Sequence, residues 1–243
     1  MKTESEQTEE RLLNNPMWHS LVGHHAALAI GGASVKRYPA DVAQYAAFPD
    51  ETEPNLAELA KLIVVGELIV MRRFSLPQES GFVTEWATDM GIRQFIYRAK
   101  TISDTIDHDI VELHEADVPD MMQLVKIARP GQFFPRTIHM GQFSGIRVDG
   151  RLIAMTGERM HPGQFCEISL VCTDPAYTRK GYATQLMTHR VARILERGET
   201  PFLHVAMDNE RAINLYRKIG FDWRRDLPLH GIKLGSETVA KAG

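Results

Sequence analysis

The sequence predicts a mixed α/β fold: a central, mostly antiparallel sheet flanked by helices, arranged as two halves in tandem. Three observations predict it. Asp149-Gly150 sits between two alternating apolar runs, a strong hairpin signal, because a type I′ turn needs positive φ at both central positions. Residues 183, 186, 187, 191, 194 and 195 are apolar at a helical period, marking one long amphipathic helix. The second half then reads strand, helix, three antiparallel strands, helix, strand, helix, strand, an order that places helices over a sheet.

The first half, residues 1–105, is patterned less clearly. Met1–Glu10 is polar and mostly acidic and reads as a disordered tail, as does Ser236–Gly243. Asn15-Pro16 opens a helix, since Pro is tolerated in a first turn. Ala27–Tyr38 reads as a strand interrupted by Gly31-Gly32. Asn55 and Glu58 make a capping-box start for a helix over Leu56–Val65. Leu68–Arg73 and Ile92–Arg98 read as strands from their β-branched, aromatic and long apolar residues. Ala99–His108 has no apolar period, so the boundary falls near Thr105. The first half is expected to be a degenerate lobe of the same kind as the second, residues 106–243.

In the second half Asp109–His114 is a strand, and Asp117 caps a helix over Val118–Ala128 that Arg129-Pro130-Gly131 ends. Ser144–Val148 and Leu152–Arg159 flank the hairpin turn, and His161-Pro162-Gly163-Gln164 turns into the strand Phe165–Thr173. Helix Gly181–Arg197, strand Phe202–Met207 and helix Asn209–Ile219 follow, then two final strands.

Composition excludes several function classes. Of 243 residues 44% are hydrophobic and 24% charged, ordinary for a globular chain. A formal charge of −3 is too mild to argue for nucleic acid or an anionic membrane, and neither is expected as a partner. No apolar run approaches the about 18 residues of a membrane span. Cys166 and Cys172 are separated by an even number of strand positions. They are expected on one face, too far apart to bridge, as buried reduced thiols. That fits a reducing compartment, and a cytoplasmic protein is expected.

The chemistry concentrates between Thr173 and Phe221. A strand runs into a glycine-containing turn and then a helix. Unpaired N–H groups and the helix dipole together suit a pyrophosphate. Gly181 lets an anion approach the backbone, Ala183 leaves room in the first turn, and Arg179 and Lys180 add positive charge. Thr178-Arg179-Lys180-Gly181-Tyr182-Ala183 resembles the Arg/Gln-x-x-Gly-x-Gly/Ala signature of the GNAT superfamily of acyl-CoA-dependent N-acyltransferases. Asn209, Ala212, Tyr216 and Gly220-Phe221 resemble its later signature, and the resemblance spans roughly residues 109–234. Thr178 departs from the usual Arg or Gln.

The resemblance implies a GNAT fold, acetyl-CoA as co-substrate, a primary amine as acceptor and no metal. It implies that Val171, Cys172 and Thr173 pair with the pantetheine arm and that Arg179, Lys180, Gly181, Tyr182, Ala183 and Thr184 hold the pyrophosphate. Asn209 and Ala212 then flank the arm, and Tyr216 lies by the thioester sulfur. Direct transfer makes two demands. An alkyl ammonium with pKa near 10 is only about 0.1% neutral at pH 7, so it must lose a proton, and the departing thiolate must gain one. Tyr216 is the expected acid. Glu167 is the expected base: some family members carry a carboxylate at this distance before the glycine turn, and Glu167 shares strand parity with Val171 and Thr173 unless a bulge intervenes. Glu158 is the alternative base.

Other residues point to less. His24-His25 lacks the spacing of a helical metal pair. His139 and His161 read as structural, and His204 approaches the cleft from the following strand. Ser169 has no nucleophile elbow. Phe133, Phe134 and Arg136 lie in a loop that shapes the acceptor site in the family. Cys172 as a covalent carrier has no support. A non-catalytic acyl-CoA-binding module is the alternative function. Amino acids, polyamines, antibiotics, peptide N-termini and protein lysines all remain open as acceptor, and nothing in the sequence sets an oligomeric state.

Overall fold

A computed structural model describes residues 3–50, 54–87, 91–99 and 109–235. The helices are α1 (Glu4–Asn14), α2 (Pro16–Leu21), α3 (Leu56–Ala60), α4 (Val118–Ala128), α5 (Tyr182–Glu196) and α6 (Glu210–Ile219). The strands of the first half are β1 (Ile30–Gly31), β2 (Lys36–Arg37), β3 (Ala46–Ala47), β4 (Leu68–Arg72), β5 (Phe82–Ala87) and β6 (Ile92–Tyr97). Those of the second are β7 (Ile110–Leu113), β8 (Phe143–Val148), β9 (Arg151–Glu158), β10 (Phe165–Thr173), β11 (Thr200–Ala206), β12 (Phe221–Leu227) and β13 (Leu229–Leu234).

The main sheet is seven-stranded in the order β12-β6-β11-β10-β9-β8-β7. Only β10 and β11 run parallel within it. The expected mostly antiparallel sheet is therefore present. Asp149 and Gly150 both have positive φ, 50° and 78°, as the predicted turn between β8 and β9 requires. Helices α5 and α6 lie on one face over Phe95, Ile168, Leu203 and Phe221.

The two halves are not self-contained. Strand β6, from the first half, pairs with β11 on one side and β12 on the other. Strand β13, from the second half, lies between β4 and β5. Each half lends a strand to the other's sheet, so a division into 1–105 and 106–243 cuts both sheets, and the expected lobe boundary at Thr105 lies outside the described residues. The described strands of the first half fall into three sheets and build no second copy of the seven-stranded one. Hydropathy marks β6 as a strand but carries no record of its partners.

The expected N-terminal tail is also corrected. Residues 4–14 are helical, with Thr3 and Glu6 in a reciprocal capping box. Leu12 and Leu13 anchor the helix in a core shared with Tyr38, Met160, Phe165 and Phe202. Tertiary burial, with Arg98 and Arg224 held by Glu9, stabilises a helix whose own sequence is polar. Ser236–Gly243, the other expected tail, lies outside the described residues.

This N-terminal layer meets the main sheet through a buried histidine. His25 lies 2.8 Å from the Tyr38 hydroxyl and 2.9 Å from the Met140 carbonyl. Burial, reinforced by nearby His161, pulls its pKa down from 6.5 to about 4. A histidine kept neutral in the fold but free to charge when unfolded stabilises above pH 6.5 and loses that contribution as pH falls toward 4. The shift corresponds to up to about 3 kcal/mol. The melting temperature is expected to fall through this window, with a shallower fall in His25→Gln. Equal slopes for the two proteins would remove His25 from the acid transition.

Candidate functional site

Strands β10 and β11 pair only from Phe165–Glu167 to Thr200–Phe202 and then part. A cleft of about 770 Å³ opens between them, within the usual range for a ligand site. Its strand wall is Ile168–Thr173 and its floor the turn at 178–184. The opposite wall brings Val205, Asn209, Ala212 and Tyr216. All the residues predicted to hold the donor line it: Val171, Cys172, Thr173, Arg179, Lys180, Gly181, Tyr182, Ala183, Thr184, Asn209, Ala212 and Tyr216.

The turn combines left-handed backbone with a helix start. Arg179 and Gly181 both take left-handed φ, 67° and 84°. Left-handed backbone of this kind can turn successive N–H groups to one side, and it is strained for a non-glycine residue such as Arg179. Gly181 caps α5 without a side chain, so the first-turn amides keep their dipole for a ligand. The space above Gly181 is open, since an added Cβ would meet only Gln185 Nε2 at 3.9 Å; the need for glycine is conformational. Thr178, the departure from the signature, donates its hydroxyl to Pro175 O at 3.2 Å. Asn209 caps α6, accepting from Ala212 N at 3.1 Å, which leaves its side-chain amide for the cleft.

A family model, FR47-like protein, matches residues 144–227. No curated protein gives a match. Among solved structures, the chain is similar to a GNAT-family protein from Novosphingobium aromaticivorans, provisionally assigned as an acetyltransferase. The two are 32% identical with a TM-score of 0.83, over 92% of this chain and 99% of the other. The chain belongs to the GNAT family. A GCN5-related N-acetyltransferase from Kribbella flavida shares the fold at 13% identity and a TM-score of 0.54, covering 99% of both chains. A functionally unknown conserved protein from Staphylococcus epidermidis does so at 13% and 0.53, over 85% of this chain and 93% of the other. Membership makes acyl transfer the reaction class.

In this GNAT protein the proton-handling groups differ from expectation. Register shifts in β10 between Ser169 and Cys172, where Leu170 has φ of 55°. The bulge reverses the alternation of faces. Cys166, Ile168 and Val171 pack toward α5 and α6, whereas Leu170 and Cys172 pack toward α4. The cysteines are therefore on opposite faces, not one; both are free and buried. Burial pushes the Cys172 thiol up to about 12, which leaves it protonated and inert as a carrier.

Glu167 is corrected for the same reason. It points away from Val171, is fully buried and does not line the cleft. Arg159 grips it through Nε at 3.0 Å and Nη2 at 2.8 Å, and His204 Nδ1 lies 2.8 Å away. Burial alone would raise its pKa, but Arg159 and His204 outweigh burial and hold it well below the carboxylate range. Such an anion is a weak base.

Arg159 and His204 stand between Glu167 and the cleft, and both line it. The tautomer of His204 follows from its partners. Gln94 Oε1 accepts from Arg224 Nη1 at 2.7 Å, and Gln94 Nε2 donates to Leu13 O at 3.0 Å. That orients the amide, so the contact of Gln94 Nε2 with His204 Nε2 at 3.0 Å makes the imidazole nitrogen the acceptor. The proton then sits on Nδ1, facing Glu167. Arg159 Nη1 completes the array with a 2.8 Å bond to the Tyr45 hydroxyl. Sequence reading passed over Arg159, Tyr45 and Gln94. Arg159 had a signal: it faces Glu167 across the His161–Gln164 turn, an opposite-charge pair flanking a hairpin. Tyr45 and Gln94 had none, because the first half's packing places them.

Glu158, the alternative base, is bound by Arg190 and Arg197 at 3.3 and 3.0 Å and lies outside the cleft. With His161 and Cys166 it offers donor atoms within 4.8 Å of one another. The two guanidiniums on the same carboxylate oppose a cation there. Phe133 packs edge-on against Phe143 in the core, and Arg136 pairs with Asp41 across the halves. Tyr216 lines the cleft, and burial lifts its pKa to about 12. No helix among the described residues is long and apolar enough to cross a membrane.

Proposed function

We propose that the protein transfers the acetyl group of acetyl-CoA to a primary amine by direct attack in a ternary complex. The parting of β10 from β11 above the Gly181 turn carries this reading. It exposes strand backbone for the amides of a pantetheine arm and leads to N–H groups suited to its pyrophosphate. Arg179–Thr184 would hold the phosphates, and Asn209 and Ala212 would flank the arm. The amine nitrogen bonds to the thioester carbon, the C–S bond breaks, and its electron pair leaves on sulfur. The ammonium gives up one proton before attack and the nitrogen a second as the amide forms. One of these reaches the thiolate, delivered by Tyr216 and replaced from water; the other goes to solvent.

Tyr216 is assigned the acid role on position, since it sits on the cleft wall and is protonated at neutral pH; burial, which lifts the phenol to about 12, opposes rather than favours its donation. Glu167 is assigned to positioning: it holds Arg159 and His204 at the cleft. Tyr216→Phe is expected to lower kcat by about 10²–10⁴-fold while the acetyl-CoA Kd stays within about twofold. An unchanged kcat removes Tyr216 as the acid. The reading as a whole is tested by calorimetry with acetyl-CoA and by thiol release with a panel of amines. Tight binding with no amine consumed would make the protein an acyl-CoA-binding module instead.

A further inference from the structure

Gln94 is fully buried in β6, and both polar atoms of its side chain are engaged. In the sheet it lies opposite His204 of β11 on one side and Arg225 of β12 on the other. Toward the cleft, its amide nitrogen is 3.0 Å from His204 Nε2, and His204 Nδ1 is 2.8 Å from Glu167 Oε1. Glu167 in turn holds Arg159 through two hydrogen bonds, and Arg159 and His204 both line the cleft. Away from the cleft, Gln94 Oε1 accepts from Arg224 Nη1 at 2.7 Å and Nε2 donates to Leu13 O at 3.0 Å. A continuous polar chain therefore crosses β12, β6, β11 and β10, from the N-terminal helix to the cleft wall.

The outer end of this chain is shaped by a bulge. The register of β12 against β6 shifts between Trp223 and Arg225. A bulge re-aims side chains, and here the consecutive residues Arg224 and Arg225 both reach Asn14 Oδ1 of α1, at 2.9 and 2.6 Å. Arg224 Nε also donates to Glu9 Oε1 at 3.3 Å. Helix α1 thus fixes Arg224, and Arg224 with the Leu13 carbonyl fixes the Gln94 amide. Turned over, that amide would set its nitrogen against a guanidinium and its oxygen against a carbonyl.

We propose that Gln94 is a positioning residue for the reaction: it holds His204 in the Nδ1–H tautomer and so keeps Glu167 and Arg159 in the arrangement that walls the cleft. This rests on the acyl-transfer reading above. In the other tautomer two contacts turn repulsive. A hydrogen on Nε2 would meet the N–H of Gln94, and a bare Nδ1 would face the Glu167 carboxylate. The imidazole must then swing or the carboxylate retreat, and Arg159, gripped through Nε and Nη2, moves with it. Misplacement by about 1 Å away from the chemistry can cost about 10²-fold in rate. Through Leu13 and Arg224 the N-terminal helix enters the geometry of the site, although among the described residues none of α1 lines the cleft.

Gln94→Glu in the full chain is the test. It keeps the shape and an acceptor for Arg224 but removes the N–H that His204 Nε2 accepts. Nitrogen-15 NMR of the histidine side chains at neutral pH reads the tautomer. His204 is expected to carry its proton on Nδ1 alone in the wild type, and to carry one on Nε2 in Gln94→Glu. Thiol release is followed with acetyl-CoA and alanine, spermidine, kanamycin or a lysine-containing peptide, using the amine that the wild type consumes fastest. The variant's kcat is expected to fall about tenfold or more, with the acetyl-CoA Kd within about twofold of wild type. A side chain that only fills space would move neither the tautomer nor kcat under so close a replacement. A folded Gln94→Glu protein with wild-type kcat, or with Nε2 still bare, overturns the proposal. Should that variant fail to fold, Arg224→Met loosens the same amide from outside: both tautomers are expected, with kcat lower by about threefold or more. A single wild-type tautomer or an unchanged kcat there overturns it equally. Failure of the acyl-transfer reading looks different, since the wild type itself would then bind acetyl-CoA and consume none of the amines, and the role of Gln94 would fall with it.

Discussion

Residues 106–243 produced alone will fail to fold cooperatively, although they contain every residue proposed to hold the donor. They lack β6, which sits inside the main sheet with β11 and β12 on its two sides. Its Gln94, Phe95 and Ile96 are almost completely buried. Burying one large apolar side chain contributes about 1.5–3 kcal/mol, and a whole domain is stable by only about 5–15 kcal/mol. Loss of β6 also leaves two strand edges open to aggregation. The fragment further strands β13, whose partners β4 and β5 lie in the missing half. Urea unfolding followed by circular dichroism decides the point. The fragment is expected to show no cooperative transition, and co-expression with residues 1–105 as a separate chain is expected to restore one. A cooperative transition from the fragment alone would contradict this account of the sheet.

Glu167→Gln is expected to cost stability first and catalysis second. Removing the carboxylate charge leaves Arg159 buried opposite a neutral amide, and breaking a buried pair from one side costs about 3–5 kcal/mol. The double variant Arg159→Met with Glu167→Leu is expected to recover part of that loss. The pH dependence has a definite sign. Glu167's folded pKa lies below its ordinary 4.5, so its contribution is complete above that value and declines as pH falls through and below it. The stability deficit of the variant is therefore full at pH 7 and shrinks in acid. A direct base behaves otherwise. If Glu167→Gln melts with the wild type and removes the acidic limb of kcat/KM, Glu167 takes the amine proton after all.

Local signals in the sequence carried much of the fold. The helix over Val118–Ala128 has the same bounds in the structure, because its apolar period and terminating Arg129-Pro130-Gly131 are local. The turn at Asp149-Gly150 and the left-handed Gly181 are likewise decided by residues within a few positions. The turn and the residues lining the cleft around it were legible for that reason. A phosphate turn needs backbone conformation and a helix start, and both are written contiguously. Helix α1 had a local start signal in Thr3 and Glu6, but its polar sequence hid it, and Leu12 and Leu13 stabilise it only when they reach the core.

By itself, then, the sequence determined a mostly antiparallel α/β sheet, the strand–turn–helix at Gly181 and the cleft residues from Val171 to Tyr216. Tertiary structure decided which strands are neighbours, which face Glu167 occupies and what stands between it and the cleft. The reason is physical. Turn conformation and helical period are properties of neighbouring residues, whereas β6 finds its place between β11 and β12 through long-range pairing. The face of Glu167 depends on one inserted residue at Leu170, and its charge state on an arginine, a histidine and, behind them, Tyr45 and Gln94 delivered by the other half of the chain.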